Sequence, residues 1–163
     1  MDLAVKIVLF AAAFLTALIT GLFYAYSCSV NLGLGRLSDA EYLKAMQNIN
    51  RAILNPWFFM SFMGTLGVLP VATWLQYKAG HTESFYYLLA ASVLYLVGTF
   101  GVTVLGNVPL NEALDKFDID AASVSEIKSQ RIRFETPWNR LNRVRTIASI
   151  LSLLLVLVSI FKQ

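Results

Sequence analysis

The sequence predicts an all-α integral membrane protein: a four-helix bundle with a short amphipathic helix between spans 1 and 2 and a helical loop between spans 3 and 4. Of the 163 residues, 57% are hydrophobic and only 14% are charged, whereas soluble domains carry about 25% charged residues. Four apolar stretches, at about 3–30, 57–75, 85–106 and 137–161, are each long enough to cross a bilayer core about 30 Å thick. We expect residues 1–163 to form a single membrane domain.

The first apolar stretch is interpreted as a retained span rather than a signal peptide. It runs from Ile7 to Phe23, which exceeds the h-region of about 7–15 residues in a signal peptide. The end of this span turns polar, and Tyr24 suits either an interfacial anchor or a pocket wall. Two glycines then interrupt the helix, at 33 and 35.

A short helix of about 39–54 is predicted next, because Ser38 and Glu41 form a capping-box pattern. Its apolar residues recur at helical spacing. Asn50 falls among them and is expected to face inward. This helix lies either along the membrane surface or over the mouth of the bundle.

Spans two and three are predicted to form an antiparallel hairpin. Asn55-Pro56 is typical of a helix start, and the linker at 76–84 is short. Four glycines in these spans suit close helix contacts within one bundle or between protomers, so a monomer and an oligomer both remain open: Gly64, Gly67, Gly98 and Gly101.

The third span, predicted to end near Gly106, carries a polar stripe. Thr99, Thr103, Asn107 and Asn111 recur every four residues, which places them on one slowly turning helical face. Buried amides are costly unless they are hydrogen-bonded. These side chains therefore face either a pocket or a neighbouring helix that they hold in place.

Two further helices are predicted after the third span. Ser123 and Glu126 form a second capping-box pattern for a helix of about 124–134, and Thr136-Pro137 starts the final helix. A second polar stripe follows spacings of four, three, four and three residues along one face of that helix: Trp138, Asn142, Arg145, Ser149 and Ser152. Such a stripe normally faces the bundle interior.

The distribution of basic residues predicts the orientation in the membrane. Four spans place both termini and the 76–84 linker on one side with three basic residues, and ten on the other side. The positive-inside rule puts the ten in the cytoplasm, so both termini lie on the non-cytoplasmic side of what we expect to be a bacterial inner membrane. An arginine that binds substrate would be a poorer indicator of the protein's orientation in the membrane. Because the basic residues flank apolar spans, we expect contacts with membrane lipids and no nucleic-acid partner.

Both polar stripes and Asn50 fall at the same end of their helices and are expected to surround one mouth of the bundle. No carboxylate lies within a span, which argues against a proton relay. One cysteine and one histidine leave no ligand set for a metal or haem, so we expect no metal and no cofactor. Amides, aromatic walls and an arginine suit a small hydrophobic or aromatic molecule with carbonyl or phenol oxygens. Alternatively, the arginines reach lipid phosphates and the asparagines only tie helices together.

Three motifs occur in order over nearly the whole chain. They are the run 37–58, which contains Asn50-Arg51-Ala52-Ile53-Leu54-Asn55-Pro56-Trp57; the run 100–111, which ends in Asn107-Val108-Pro109-Leu110-Asn111; and Trp138-x-x-x-Asn142-x-Val144-Arg145-Thr146. Together they resemble the anthrone oxygenase-like family of small four-span membrane proteins. Many bacterial members of that family have no established activity.

The resemblance implies a cofactor-independent monooxygenase that uses O₂ to convert an anthrone into an anthraquinone. On this hypothesis the catalytic residues are Asn107, Asn111, Asn142 and Arg145, with the amides orienting substrate oxygens and the guanidinium stabilising an anion. Five residues are assigned to substrate binding: Asn50, Trp138, Thr103, Tyr24 and Arg143.

The last motif departs from the family at two positions. Leu141 stands where a second tryptophan is common, and Arg143 stands where a histidine is common. That histidine would have been the natural general base, and arginine does not normally accept a proton. Two other hypotheses remain open. One is a non-catalytic protein that binds a lipid, a quinone or a protein partner at the same pocket, and the other is a bundle without a site.

Overall fold

The computed structural model describes residues 3–162, which fold into five helices and the segments between them. Four of the helices, α1, α3, α4 and α5, are long and apolar enough to cross a membrane. The predicted all-α four-helix membrane bundle is therefore confirmed. The helices are α1, Leu3–Leu34; α2, Asp39–Ala52; α3, Pro56–Lys78; α4, Thr82–Asp115; and α5, Val124–Phe161.

Helices α2 and α3 start where the local signals predict, whereas α1 continues through Gly33 to Leu34. The backbone N–H of Ser38 donates to a Glu41 carboxylate oxygen at 3.1 Å, which closes the capping box of α2. Hydrogen bonds from the Ser38 hydroxyl and from its backbone N–H lower the pKa of Glu41. The Asn55 side chain accepts from the Phe58 backbone N–H at 3.1 Å and caps α3.

Helix α4 does not end near Gly106 as predicted but continues to Asp115. It contains π-helical turns at Tyr95–Gly101 and Thr103–Asn107, and the backbone N–H of Val108 donates to the Thr103 carbonyl five residues back. An α-helical segment resumes at Val108 with Pro109 in its first turn, where a missing N–H costs little. The π turns thus allow the helix to pass the proline.

The predicted start of a separate helix at Thr136-Pro137 is wrong. Helix α5 runs without a break from Val124 to Phe161, with Pro137 in its interior. A proline there removes one backbone hydrogen bond, but the side chains on either side of it are anchored. Phe134 and Trp138 are only 2% and 3% exposed, so tertiary packing supports a continuous helix at a residue that usually marks a helix boundary.

Two apolar clusters hold the bundle together. The larger joins α1, α3, α4 and α5 within the spans: Leu9, Ala12, Ile19, Phe23, Phe62, Leu69, Ala72, Leu88, Ala91, Tyr95 and Val156. The smaller lies at one end and packs α2 against α4 and α5: Tyr42, Leu43, Met46, Leu114, Ile119, Phe134 and Trp138. Of the two placements open for α2, the structure therefore has the one over the mouth of the bundle.

One glycine, Gly98, lies at a close contact between two helices inside the bundle. A Cβ added to Gly98 of α4 would lie 2.5 Å from the Cβ of Ala148 on α5. Added to Gly64, it would lie 3.1 Å from a Leu15 methyl, whereas at Gly67 it would meet nothing within 4 Å. Gly98 is therefore required where α4 and α5 cross, while Gly67 leaves room on the outer surface.

Arg131 of α5 fastens the start of α2 to the bundle. Its Nη1 donates to the Leu37 carbonyl and to Asp39, at 2.8 and 2.9 Å, and its Nη2 donates to the Gly35 carbonyl at 3.0 Å. Its Nε donates to Glu135 at 2.7 Å. Because one guanidinium satisfies four acceptors, it orients the chain that leads into α2.

Replacing Arg131 by methionine should loosen α2. We expect a loss of about 2 kcal/mol of stability, because charged hydrogen bonds contribute about 1.5–3 kcal/mol and this side chain is largely buried. The measurement is the thermal midpoint in detergent, together with the rate of proteolysis between α1 and α2. Arg133→Met is the matched control, since Arg133 is exposed. Equal midpoints and cleavage rates for the two variants would contradict this role.

Candidate functional site

A cavity of about 390 Å³ opens beneath α2 at the mouth of the bundle. This volume lies within the range of about 300–1,000 Å³ that is typical of small-molecule pockets. All five helices contribute to the lining, which consists of Leu22, Phe23, Tyr26, Ile49, Asn50, Arg51, Ile53, Leu54, Phe58, Thr103, Val108, Asn111, Glu112, Asp115, Lys116, Trp138 and Arg145. The wall is thus mainly apolar and aromatic, with a few polar groups and a charged rim.

Arg145 is a buried guanidinium without a carboxylate partner in the described chain. It is 7% exposed, and its Nε and Nη2 donate to Asn142 Oδ1 at 3.2 and 3.1 Å. The guanidinium carbon lies 4.3 Å from the ring centroid of Phe23 and 5.1 Å from that of Trp138. Cation–π contacts offset only part of the cost of burying a charge. The donors that Asn142 does not use are therefore suited to an anionic or strongly polarised oxygen.

Asn142 does not line the cavity, but its side-chain oxygen accepts two hydrogen bonds from the Arg145 guanidinium and so positions it. It is fully buried, and its Nδ2 donates to Ser27 Oγ of α1 at 2.9 Å. Ser27 in turn pairs with Thr146 Oγ1 at 2.9 Å. This chain of hydrogen bonds connects α1 to α5 and fixes the Asn142 amide with its oxygen toward the guanidinium. Asn142 is a positioning residue in this geometry.

Trp138 is held between the two predicted asparagines of α4. Its Nε1 donates to Asn111 Oδ1 at 2.9 Å, and its backbone carbonyl accepts a longer bond of 3.5 Å from Asn107 Nδ2. Trp138 and Asn111 line the cavity, whereas Asn107 does not. Asn107 Oδ1 is nevertheless buried without a hydrogen-bond partner in the part of the chain that the structure describes.

Asn50 and Thr103, both assigned to substrate binding from the sequence, also lie on the cavity wall. The Nδ2 of Asn50 is buried and has no hydrogen-bond acceptor among residues 3–162. A buried donor without a partner costs about 1–3 kcal/mol, so Asn50 is a natural contact for a ligand carbonyl. Thr103 donates to the Thr99 carbonyl at 2.7 Å and offers a ligand only its acceptor capacity.

Tyr24 and Arg143 do not line the cavity, so the structure does not bring them together with the other predicted site residues. Tyr24 is 55% exposed because Phe23 and Tyr26 take the inward positions on α1. Arg143 is exposed because it follows the buried Asn142 and one helical step turns it away from the bundle. A histidine at position 143 would likewise lie outside this cavity.

Several lining residues carried no clear signal in the sequence. The aromatic wall includes Tyr26, which belongs to the polar end of the first span, and Phe23 and Phe58, which look like ordinary apolar span residues in the sequence. Glu112 and Asp115 fall in a stretch predicted to be a loop, and only the continuation of α4 past Pro109 brings them to the rim. Their four- and seven-residue spacing from Val108 would have indicated a shared face had the helix been extended.

A family model for anthrone oxygenase matches residues 57–155. The match covers more than half of the chain and includes α3, α4 and most of α5, with both predicted polar stripes. No curated protein and no solved structure matches this sequence. Within residues 3–162, no three histidine, cysteine or carboxylate side chains are grouped so that they could hold a metal ion. On the strength of the family match, this chain is a member of the anthrone oxygenase family.

Proposed function

We propose that this protein is a membrane oxygenase that binds a flat aromatic molecule with carbonyl or phenol oxygens beneath α2 and oxidises it with O₂. The observation that carries the proposal is Arg145, a buried guanidinium that lines an apolar cavity with no carboxylate partner among the described residues. An anthrone-like substrate becomes anionic at oxygen when it loses a carbon-bound proton. A guanidinium already in place stabilises such a charge without reorganisation.

The other polar groups suit the same substrate. Asn50 of α2 lines the same cavity, and its unpartnered Nδ2 would donate to a second carbonyl or phenol oxygen. Asn111, held by Trp138, would orient the molecule from α4. The ring walls of Phe23 and Trp138 favour a planar aromatic body. Overall, one CH₂ group and one O₂ give one carbonyl and one water, so the reaction needs no external reductant.

A second candidate is a non-catalytic protein that binds a lipid, a quinone or a protein partner in the same cavity. The exposed apolar side chains at its edge favour this alternative. Leu54 and Val108 line the cavity and are 66% and 37% exposed, so the opening is continuous with the apolar surface. A quinone would meet Arg145 and Asn50 with its two carbonyl oxygens and would undergo no reaction.

Oxygen uptake on adding an anthrone to the purified protein in detergent separates these candidates. We expect consumption of one O₂ per anthrone, with formation of the anthraquinone, well above the rate in protein-free detergent. Arg143→Met should keep this activity, because Arg143 is exposed and outside the cavity. Saturable binding of the anthrone without oxygen uptake would favour the non-catalytic binding protein. Absence of both binding and uptake would reject both candidates.

The cavity end is proposed to face the cytoplasm of a bacterial inner membrane, with both termini on the other side. The Lys162 ammonium lies 3.2 Å from the Glu83 carboxylate, and Ser84 Oγ donates to the Ser159 carbonyl at 3.0 Å. These contacts support a common end for the α3–α4 turn and the end of α5, opposite the cavity. Ten of the 13 basic residues belong to the cavity end, which the positive-inside rule assigns to the cytoplasm.

A further inference from the structure

Two carboxylates line the cavity, and they differ in their partners. Asp115 is neutralised by Arg51 of α2, whose Nε lies 2.6 Å from its Oδ1. The Glu112 carboxylate makes no hydrogen bond and no ion pair with any residue of the described chain. Glu112 is therefore a proton acceptor at the cavity that no internal contact occupies.

Glu112 reaches the cavity because α4 continues past Pro109. Val108, Asn111, Glu112 and Asp115 all line it, and their spacings of three, four and seven residues define one helical face. Glu112 is thus adjacent to Asn111 on the α4 wall. Arg145 lines the same cavity from α5. A base on one helix and an anion-stabilising group on another can act on two parts of one bound molecule.

We propose that Glu112 is the general base that removes the carbon-bound proton of the substrate, an inference that rests on the proposed oxygenase function. The C–H bond breaks, the proton passes to the Glu112 carboxylate, and the electron pair moves into the conjugated carbonyl. The carbonyl oxygen becomes anionic beside Arg145. The carbanion then bonds to O₂ to form a peroxide, which takes up the proton held by Glu112. Loss of the second carbon-bound proton and cleavage of the O–O bond give the carbonyl carbon and one water.

Other groups at the cavity are less suited to this step. Arg145 and Arg51 do not accept protons in ordinary conditions. Tyr26 lines the cavity, but a phenol is protonated at neutral pH and cannot act as the base. Asp115 would have to leave Arg51 before it could accept a proton. Glu112 alone of these has both a carboxylate and no competing partner among the described residues.

If Glu112 is the general base, the pH dependence of turnover should change when Glu112 is replaced. The reaction needs the ionised carboxylate, so the rate should fall as the solution becomes acidic enough to protonate Glu112. The other charged and titratable groups around the same cavity are Tyr26 of α1, Arg51 of α2, Asp115 of α4, Lys116 directly after α4, and Arg145 of α5. Asp115 is the one other carboxylate among these lining residues, and it is paired with Arg51.

The test compares the full-length protein and Glu112→Gln in detergent, with an anthrone for turnover and a hydroxyanthraquinone for binding. We expect Glu112→Gln to lower kcat by about 10²–10⁴-fold, to abolish the acidic limb of the pH profile, and to leave the Kd within about threefold. Glu112→Asp should retain the acidic limb with a smaller loss of kcat. Glu83→Gln, at the opposite end of the bundle, is the matched control and should behave as the wild type.

Wild-type kcat and an unchanged acidic limb in Glu112→Gln would overturn the role of Glu112 while leaving the oxygenase proposal intact. If the wild type itself takes up no oxygen above the detergent background, both the oxygenase function and this role fail. Retained binding in Glu112→Gln shows that the variant is folded. If Glu112→Gln no longer binds the hydroxyanthraquinone, the pH profile of turnover by Glu112→Asp tests the proposal instead. An absent acidic limb in Glu112→Asp would then overturn it.

Discussion

Arg145→Met is expected to lose about 10²–10³-fold in turnover and to bind a hydroxyanthraquinone at least about tenfold more weakly. Methionine keeps the length and apolar stem of arginine but removes every donor and the charge. The guanidinium lines the cavity, and only Asn142 among the described residues accepts hydrogen bonds from it. Kd from ligand titration and kcat from oxygen uptake would measure the two effects.

The stability of Arg145→Met separates a functional arginine from a structural one. Replacing a buried charge that has no carboxylate partner in the described residues by an apolar side chain is typically neutral or stabilising. We therefore expect an unchanged or higher thermal midpoint. Arg143→Met, two residues away and exposed, should keep wild-type binding and turnover. An Arg145→Met protein that binds and turns over normally but unfolds earlier would contradict the assignment.

Gly98→Ala should be the most destabilising small substitution in the bundle. The new Cβ would lie 2.5 Å from the Cβ of Ala148, which is closer than van der Waals contact permits. Neither methyl group can rotate away, so α4 and α5 must separate. Overpacking of this kind costs about 1–3 kcal/mol, and the separation would also disturb the neighbouring contact of Ser152 Oγ with the Ala91 carbonyl. Thermal or denaturant unfolding in detergent would measure the loss.

A second substitution tests whether this contact is the cause. Ala148→Gly removes the opposing methyl, so Gly98→Ala combined with Ala148→Gly should recover most of the stability. Gly67→Ala is the control, because a Cβ there meets nothing within 4 Å and alanine favours the helix. If Gly98→Ala is as stable as Gly67→Ala, or if the double variant is no better than Gly98→Ala alone, the close approach of α4 and α5 is not as described.

Local sequence signals were sufficient for the starts of α2 and α3 and for one shared face of α5. Side-chain caps place the starts of α2 and α3 at Ser38 and Asn55, and both caps are present. The 3.6-residue periodicity of a helix predicts that Trp138 and Arg145 share a face, and both line the cavity. Such features depend on neighbours within one helix, so a single sequence carries them.

The misplaced features depend on contacts between helices. A proline in the first turn of a helix and a proline inside a packed helix look alike in sequence, and only the burial of Phe134 and Trp138 decides the case of Pro137. The π turn before Pro109 has no recognised sequence pattern. Without this π turn, the sequence predicts that the third span ends near Gly106 and assigns Glu112 to the loop that follows. One helical step likewise separates the exposed Arg143 from the buried Asn142, a difference that a shared motif does not reveal.

The central claim is that a flat aromatic ligand occupies the cavity beneath α2, and filling that cavity tests it most directly. Ile49→Trp adds a bulky side chain to the lining, whereas Ile147→Trp adds the same side chain to the outer surface, where Ile147 is 60% exposed. The measurement is the stoichiometry and Kd of hydroxyanthraquinone binding to each variant in detergent. We expect one ligand per chain for the wild type and Ile147→Trp, and no saturable binding for Ile49→Trp. Equal saturable binding by all three proteins would contradict the claim.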